Sequence, residues 1–165
     1  TLHLFKYPKL DNRFNYPTIL SKTPISQEIQ EKFQRLNGKF GPKNELRLWV
    51  LVFNNHNPNL AKLQEDYWVR GNMNELTICI GVNDQKEIEW SHAFSWTRNT
   101  SLIKDVENEI EDLRVLNDST WNTYYQYLNT HLNTFQRRDF EKEFNYLTVE
   151  PKEWHMIVIF IIAIL

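Results

Sequence analysis

The chain has 165 residues, enough for one domain with a real core but not comfortably for two. Its 41% hydrophobic and 14% aromatic content excludes a globally disordered polymer. A net charge of -2 and a pI near 6.2 argue against a nucleic-acid binder, and the single Cys79 rules out an internal disulfide or a cysteine-based zinc site.

Thr1–Lys22 contains Pro8, Pro17 and scattered aromatics without periodicity, and reads as an irregular lead-in packed on the domain by Phe14, Tyr16 and Ile19. Thr1–Leu20 carries no long apolar run after a basic start, as a secretory signal would. The domain proper is expected over residues 23–147. Thr23 is a candidate N-cap and Pro24 suits the first helical position. Ile25, Ile29, Phe33, Leu36 and Phe40 then recur at steps of three and four, which predicts a helix with one buried stripe. Gly38 or Gly41 is expected to end it, with Pro42 forbidding continuation.

Leu46–Phe53 is nearly continuous apolar sequence, as a strand covered on both faces should be. An Asn-rich turn, Asn54 to Asn59, leads to a helix expected over Leu60–Arg70 with Leu60, Leu63 and Tyr67 inward. Glu75–Val82 predicts a second apolar strand, with Cys79 as a small core residue. After the turn Asn83-Asp84-Gln85, Ile88, Trp90, His92, Phe94 and Trp96 alternate with polar or small residues, predicting a half-buried strand over Lys86–Trp96. The helix between the first two strands predicts a parallel pair, and the short turn an antiparallel third strand. Two helices follow. One carries Leu102, Val106, Ile110 and Leu113; the other carries Trp121, Tyr124, Leu128, Leu132 and Phe135 behind a Ser119 or Thr120 cap. The fold class is therefore α/β, a small mixed sheet flanked by helices.

Thr148–His155 reads as a juxtamembrane linker. Beyond it Met156, Ile157, Val158, Ile159, Phe160, Ile161, Ile162, Ala163, Ile164 and Leu165 are all apolar in a chain of mean hydropathy -0.57. A helical span needs about 20 residues. With Trp154 and Glu153 flanking its start as at a bilayer interface, the run is read as the start of a transmembrane helix rather than a buried C-terminal element. The expected partners are thus a membrane and another protein, with no nucleic acid and no cofactor.

Chemical candidates are few. His3, His56, His92, His131 and His155 show no metal-ligand spacing, and His92 reads as a satisfied core or interface histidine. His56 with Asn54 and Asn55 follows the first strand, and loops at the carboxyl ends of parallel strands often carry ligand sites. Asp66 and Asp84 are the carboxylates that a divalent ion would use in a hydrolase. The acidic residues from Asp105 to Asp112 read as the solvated face of their helix, and no P-loop, GxGxxG, GxSxG or calcium loop occurs. Asn99-Thr100-Ser101 and Asn117-Asp118-Ser119 match the glycosylation pattern, which helix capping explains equally well. Trp68, Trp90, Trp96 and Trp121 would be contact points for a partner if exposed.

The order of these elements, with Gly71-Asn72-Met73-Asn74 before the Glu75–Val82 strand and Asp84-Gln85-Lys86 at the following turn, resembles the TPM-domain family over roughly Thr23 to Phe135. The resemblance implies an α/β/α sandwich beside a membrane, serving quality control or complex assembly. The family's Gly-Tyr-Gly-like turn is replaced here by Ala93-Phe94-Ser95-Trp96, and its Gly-Asp-Tyr segment has no counterpart. The expectation is a membrane-anchored, non-catalytic interaction domain or complex subunit. The alternative is a divalent-metal-dependent, phosphatase-like hydrolase of the TPM type.

Overall fold

Apolar sequence at the centre of the chain builds the centre of the sheet. In the computed structural model, which describes residues 3–8 and 16–144, Arg47–Asn54 forms strand β2 and Glu75–Val82 forms β3. The two pair in parallel along their whole length, from Arg47 opposite Glu75 to Asn54 opposite Val82. Ile88–Ser95, β4, pairs antiparallel with β3, as the short turn requires. A strand the sequence pattern did not reveal, β1 (Ile19–Ser21), lies parallel to β2 on its other side, giving the order β1-β2-β3-β4. Three residues after Pro17 are too few to show a period of two. Ile19 nonetheless inserts fully into the core, and Tyr16 packs at its margin. Phe14 lies outside the described residues.

Alternation along the strands sorts the core into two layers. Leu48, Val50 and Val52 of β2 and Ile78, Ile80 and Val82 of β3 face three helices: α1 (Gln27–Asn44), α3 (Thr100–Asp112) and α4 (Asp118–His131). Trp49, Leu51, Phe53 and Cys79 face the opposite way, onto α2 (Asn59–Tyr67) and the extended residues Leu4, Phe5 and Tyr7. The fold is a mixed α/β sheet with helices on both faces, and two-sided burial is why β2 and β3 read as unbroken apolar runs. The expected stripes of α3 and α4 are buried at Leu102, Val106, Ile110, Trp121, Tyr124 and Leu128. Leu132 and Phe135 continue them through a short 3-10 turn.

Five expectations are corrected. The N-cap of α1 is Ser26, whose Oγ accepts the Ile29 N–H, while Thr23 bonds back to Ser21. This helix also runs through Gly38, Gly41 and Pro42 to Asn44, ending on Glu45 at φ 53. Pro42 sits in the last turn, so the ladder bond it removes lies at the very end of the helix. In α2 the buried face is Leu60, Ala61 and Gln64, followed by Trp68, whereas Leu63 and Tyr67 point outward. Gln64 can be central because its amide is satisfied. Its Oε1 accepts the Phe5 N–H at 2.8 Å, and its Nε2 donates to the Phe5 carbonyl at 3.0 Å. The expected single face of β4 is split by a register shift between Gly81 and Val82, which puts Ile88 with the three-helix layer and leaves Trp90 and Phe94 on the other. The caps of α3 and α4 are Asn99 and Asn117, and Thr120 completes a capping box rather than starting the helix.

Among the described residues no helix is long and apolar enough to cross a membrane. Trp154 and the run Met156–Leu165, with the linker before them, lie outside those residues. The last described element is α5 (Phe140–Phe144).

Candidate functional site

Three places in the fold gather side chains that chemistry or recognition could use. The first is at the carboxyl ends of β2 and β3, where Asn54, Asn55 and His56 follow one strand and Asp84 follows the other. Asn54 Nδ2 donates to Asp84 Oδ1 at 3.0 Å, and His56 Nδ1 lies 2.5 Å from Glu89 Oε2. The Asn55 carbonyl accepts the indole N–H of Trp90 at 2.9 Å. Gly81 makes this last bond possible, because a Cβ there would fall inside the Trp90 ring. The amide oxygens of Asn55 and Asn57 turn back onto backbone N–H groups within the loop. All of these polar groups are spent on local turn geometry at the surface. Asp66 does not join them: it pairs with Lys62 on α2, at the end of that helix leading into β3, whereas Asp84 follows the end of β3. Beside the loops a cleft runs between Val52, Val82, Lys86 and the caps Ser26 and Asn117, and none of the five predicted ligand residues lines it.

The second place is the outer edge of the sheet. His92 on β4 is held between two carboxylates from opposite layers, Nε2 3.0 Å from Glu65 of α2 and Nδ1 3.4 Å from Glu107 of α3. Lys62 and Lys104 extend the chain of charges at either end. Hydrogen bonding to Glu107 raises the His92 pKa, burial opposes it, and Glu65 adds to the rise. Burial pushes Glu107 upward, but its bonds from His92, the Ala93 N–H and Lys104 outweigh that and hold it below the ordinary carboxylate range. The two carboxylates meet opposite nitrogens of one ring, so they share no point at which an ion could bind both. Among the described residues no group of three or more His, Cys, Asp or Glu is arranged to hold a metal. His92 is a satisfied interface histidine, in keeping with its sequence reading. Its partners were not legible, since nothing local ties positions 65, 92 and 107 together.

The third place is a stretch of surface. Leu63, Tyr67, Val69 and Met73 are 39%, 52%, 79% and 39% exposed, and they are the large hydrophobic side chains left open among the described residues. Trp68, Trp90 and Trp121 are buried, and Trp96 is half-buried against Phe140. The tryptophans the sequence offered as contact points are therefore core or nearly so. The loop carrying Val69 is unusual: Val69, Arg70 and Gly71 have φ of 52, 64 and 75. A left-handed backbone costs a non-glycine residue roughly 1–2 kcal/mol. Sequence could have flagged Gly71 but not the two residues before it. Their geometry is held from both sides. The Arg70 and Gly71 N–H groups donate to the Glu65 and Trp68 carbonyls, and the Asn72 N–H donates to the buried carboxylate of Glu75 at 2.9 Å. Glu75 also accepts the Trp49 indole N–H and the Tyr7 hydroxyl. Burial, and then this bond to Glu75, push the Tyr7 hydroxyl up to about 12.

No family model matches the chain, and no curated protein matches it.

Proposed function

We propose that this chain is a membrane-anchored, non-catalytic interaction or assembly domain, acting alone or as a subunit of a larger membrane complex. The observation that carries the reading is the run Met156–Leu165, ten apolar residues in a chain that is otherwise polar on average. The folded domain supports it. Its acid-base candidates are engaged in ion pairs and turns, Asp66 and Asp84 belong to opposite ends of β3, and its open apolar surface is gathered in one segment. The order helix, strand, helix, strand, antiparallel strand, helix is also the order on which the resemblance to the TPM-domain family rests. The test is to extract cell membranes carrying the full chain at alkaline pH and then in mild detergent. The chain is expected to stay with the bilayer under alkali and to leave the detergent extract with a stoichiometric protein partner. Release by alkali would remove the anchor, and purification as a lone chain would remove the assembly role.

A second reading is a divalent-metal-dependent hydrolase of phosphate esters. It is favoured by the Asn54–Asp84 pair beyond the carboxyl ends of the parallel strands β2 and β3, with a His56–Glu89 pair in the same loop region. It expects magnesium, calcium or zinc to raise the melting temperature and Asp84→Ala to abolish metal-dependent turnover. A melting temperature indifferent to all three ions removes it.

A further inference from the structure

We propose that Leu63–Met73 is the face this domain lays on the lipid surface, with Val69 and Met73 at the acyl boundary and Arg70 among the headgroup phosphates. The inference rests on the anchoring reading above and adds to it an orientation and a contact.

Four independent observations converge on this segment. Its eleven positions hold all the large hydrophobic side chains left open among the described residues, Tyr67 among them, with one arginine, Arg70, and the carboxylates Glu65 and Asp66. Apolar groups beside Tyr and Arg make up the composition of surfaces that sit in a bilayer interface. Second, the backbone spends strain to place them. Val69 is β-branched, left-handed at φ 52 and 79% exposed, so it gains almost no packing within the described domain in return. Third, the last described helix lies at this side. The Phe140 ring of α5 packs edge-on to Trp96 at 5.6 Å, and the Trp96 indole N–H donates to the Gly71 carbonyl at 3.2 Å. From Phe144 the eleven positions 145–155 reach at most about 40 Å before Met156, so the apolar run and the Val69 loop can meet one face of a bilayer. Fourth, the charges fit. Lys62 is occupied by Glu65 and Asp66, whereas Arg70 has no ion pair among the described residues and is free to take a phosphate.

The test uses the full chain in vesicles of phosphatidylcholine with a phosphatidylserine fraction, carrying a polarity-sensitive fluorophore on Val69→Cys, Met73→Cys or, as a control on α1, Glu28→Cys. Native Cys79 is fully buried and takes no label while the domain is folded. Removing the β-branch at position 69 makes the left-handed backbone easier to hold, so the labelled chain should fold. The expected result is blue-shifted emission at positions 69 and 73, lost when brominated lipid replaces the ordinary lipid, with position 28 unaffected. Arg70→Glu should weaken the quenching and leave vesicle flotation unchanged. Labels at 69 and 73 that answer only to aqueous iodide, on a chain that still floats, overturn the contact and spare the anchor. Quenching by a second labelled copy with brominated lipid silent assigns the segment to self-association and overturns it as well. A chain that does not float overturns both.

Discussion

The two faces of the sheet are built to different rules. On one, aliphatic strand residues meet three helices, and the buried side chains have almost no polar atoms to satisfy. On the other, a nine-residue helix and residues 3–8 must cover Trp49, Phe53, Trp90 and Phe94, and each of the three tryptophans there carries a polar tie. The Trp49 indole goes to Glu75, the Trp68 indole to the Phe5 carbonyl, and the Trp90 indole to the Asn55 carbonyl. A thick cover can rely on area and shape. A thin one also relies on hydrogen bonds that fix which way each ring lies, because any slip would leave a buried donor or acceptor unpaired.

That contrast can be broken by mutation, taken here from the largest expected effect down. Phe33→Ala, on the thick face against Trp121 and Tyr124, should cost about 3–5 kcal/mol in urea unfolding, as a fully buried ring does. Gly81→Ala should cost about 1–3 kcal/mol on the thin face, since Trp90 must move. Near-ultraviolet circular dichroism should change with it, and an unchanged spectrum would contradict the assigned packing. Gln64→Leu keeps the volume of α2 but leaves the Phe5 N–H unpaired and its carbonyl with the Trp68 indole alone, so a loss of roughly 2 kcal/mol is expected where an area argument predicts none.

The edge of the sheet gives a pH-dependent prediction. The folded pKa of His92 is raised, so its contribution is fully present below its unfolded value of about 6.5 and is lost as the pH climbs through the folded value. The stability gap between the wild type and His92→Gln should therefore be widest below about pH 6.5 and narrow as the pH rises above it. It should amount to about 1 kcal/mol or less, because solvent screens the pair. A gap that widens with rising pH would contradict the arrangement. The smallest effect has the opposite sign. Val69→Gly should stabilise the chain by about 0.5 kcal/mol, the relief of left-handed strain less the entropy of glycine.

The same contrast explains what was legible beforehand. Glu75–Val82 could be delimited to the residue, and the buried stripes of α3 and α4 named, because an apolar layer writes its period directly into the chain. The thin face was harder to read. The pattern turned Leu63 and Tyr67 inward, whereas Gln64 is the buried one, because its amide's partner is the backbone of Phe5, 59 residues away. The bulge that splits Ile88 from Trp90 is invisible to a period of two. Of the candidate ligand residues, Asn54 and Asp84 share a hydrogen bond beyond the ends of β2 and β3, Asn55 and His56 touch Trp90 and Glu89, and Asp66 pairs with Lys62 on α2. The His92 cluster joins three distant positions, so pattern alone had no purchase on it.

Glu107 has a consequence for the whole molecule. The sheet ends on one side in a three-residue strand and on the other in β4, whose outward Ala93 N–H would otherwise offer a docking point for a foreign strand. The Glu107 carboxylate takes that N–H at 2.7 Å and, paired with His92 and Lys104, sets a cluster of charged groups along the rim. A neighbouring chain trying to extend the sheet would meet an occupied donor and a charge it must bury. Domains crowded side by side are thereby kept from polymerising edge to edge.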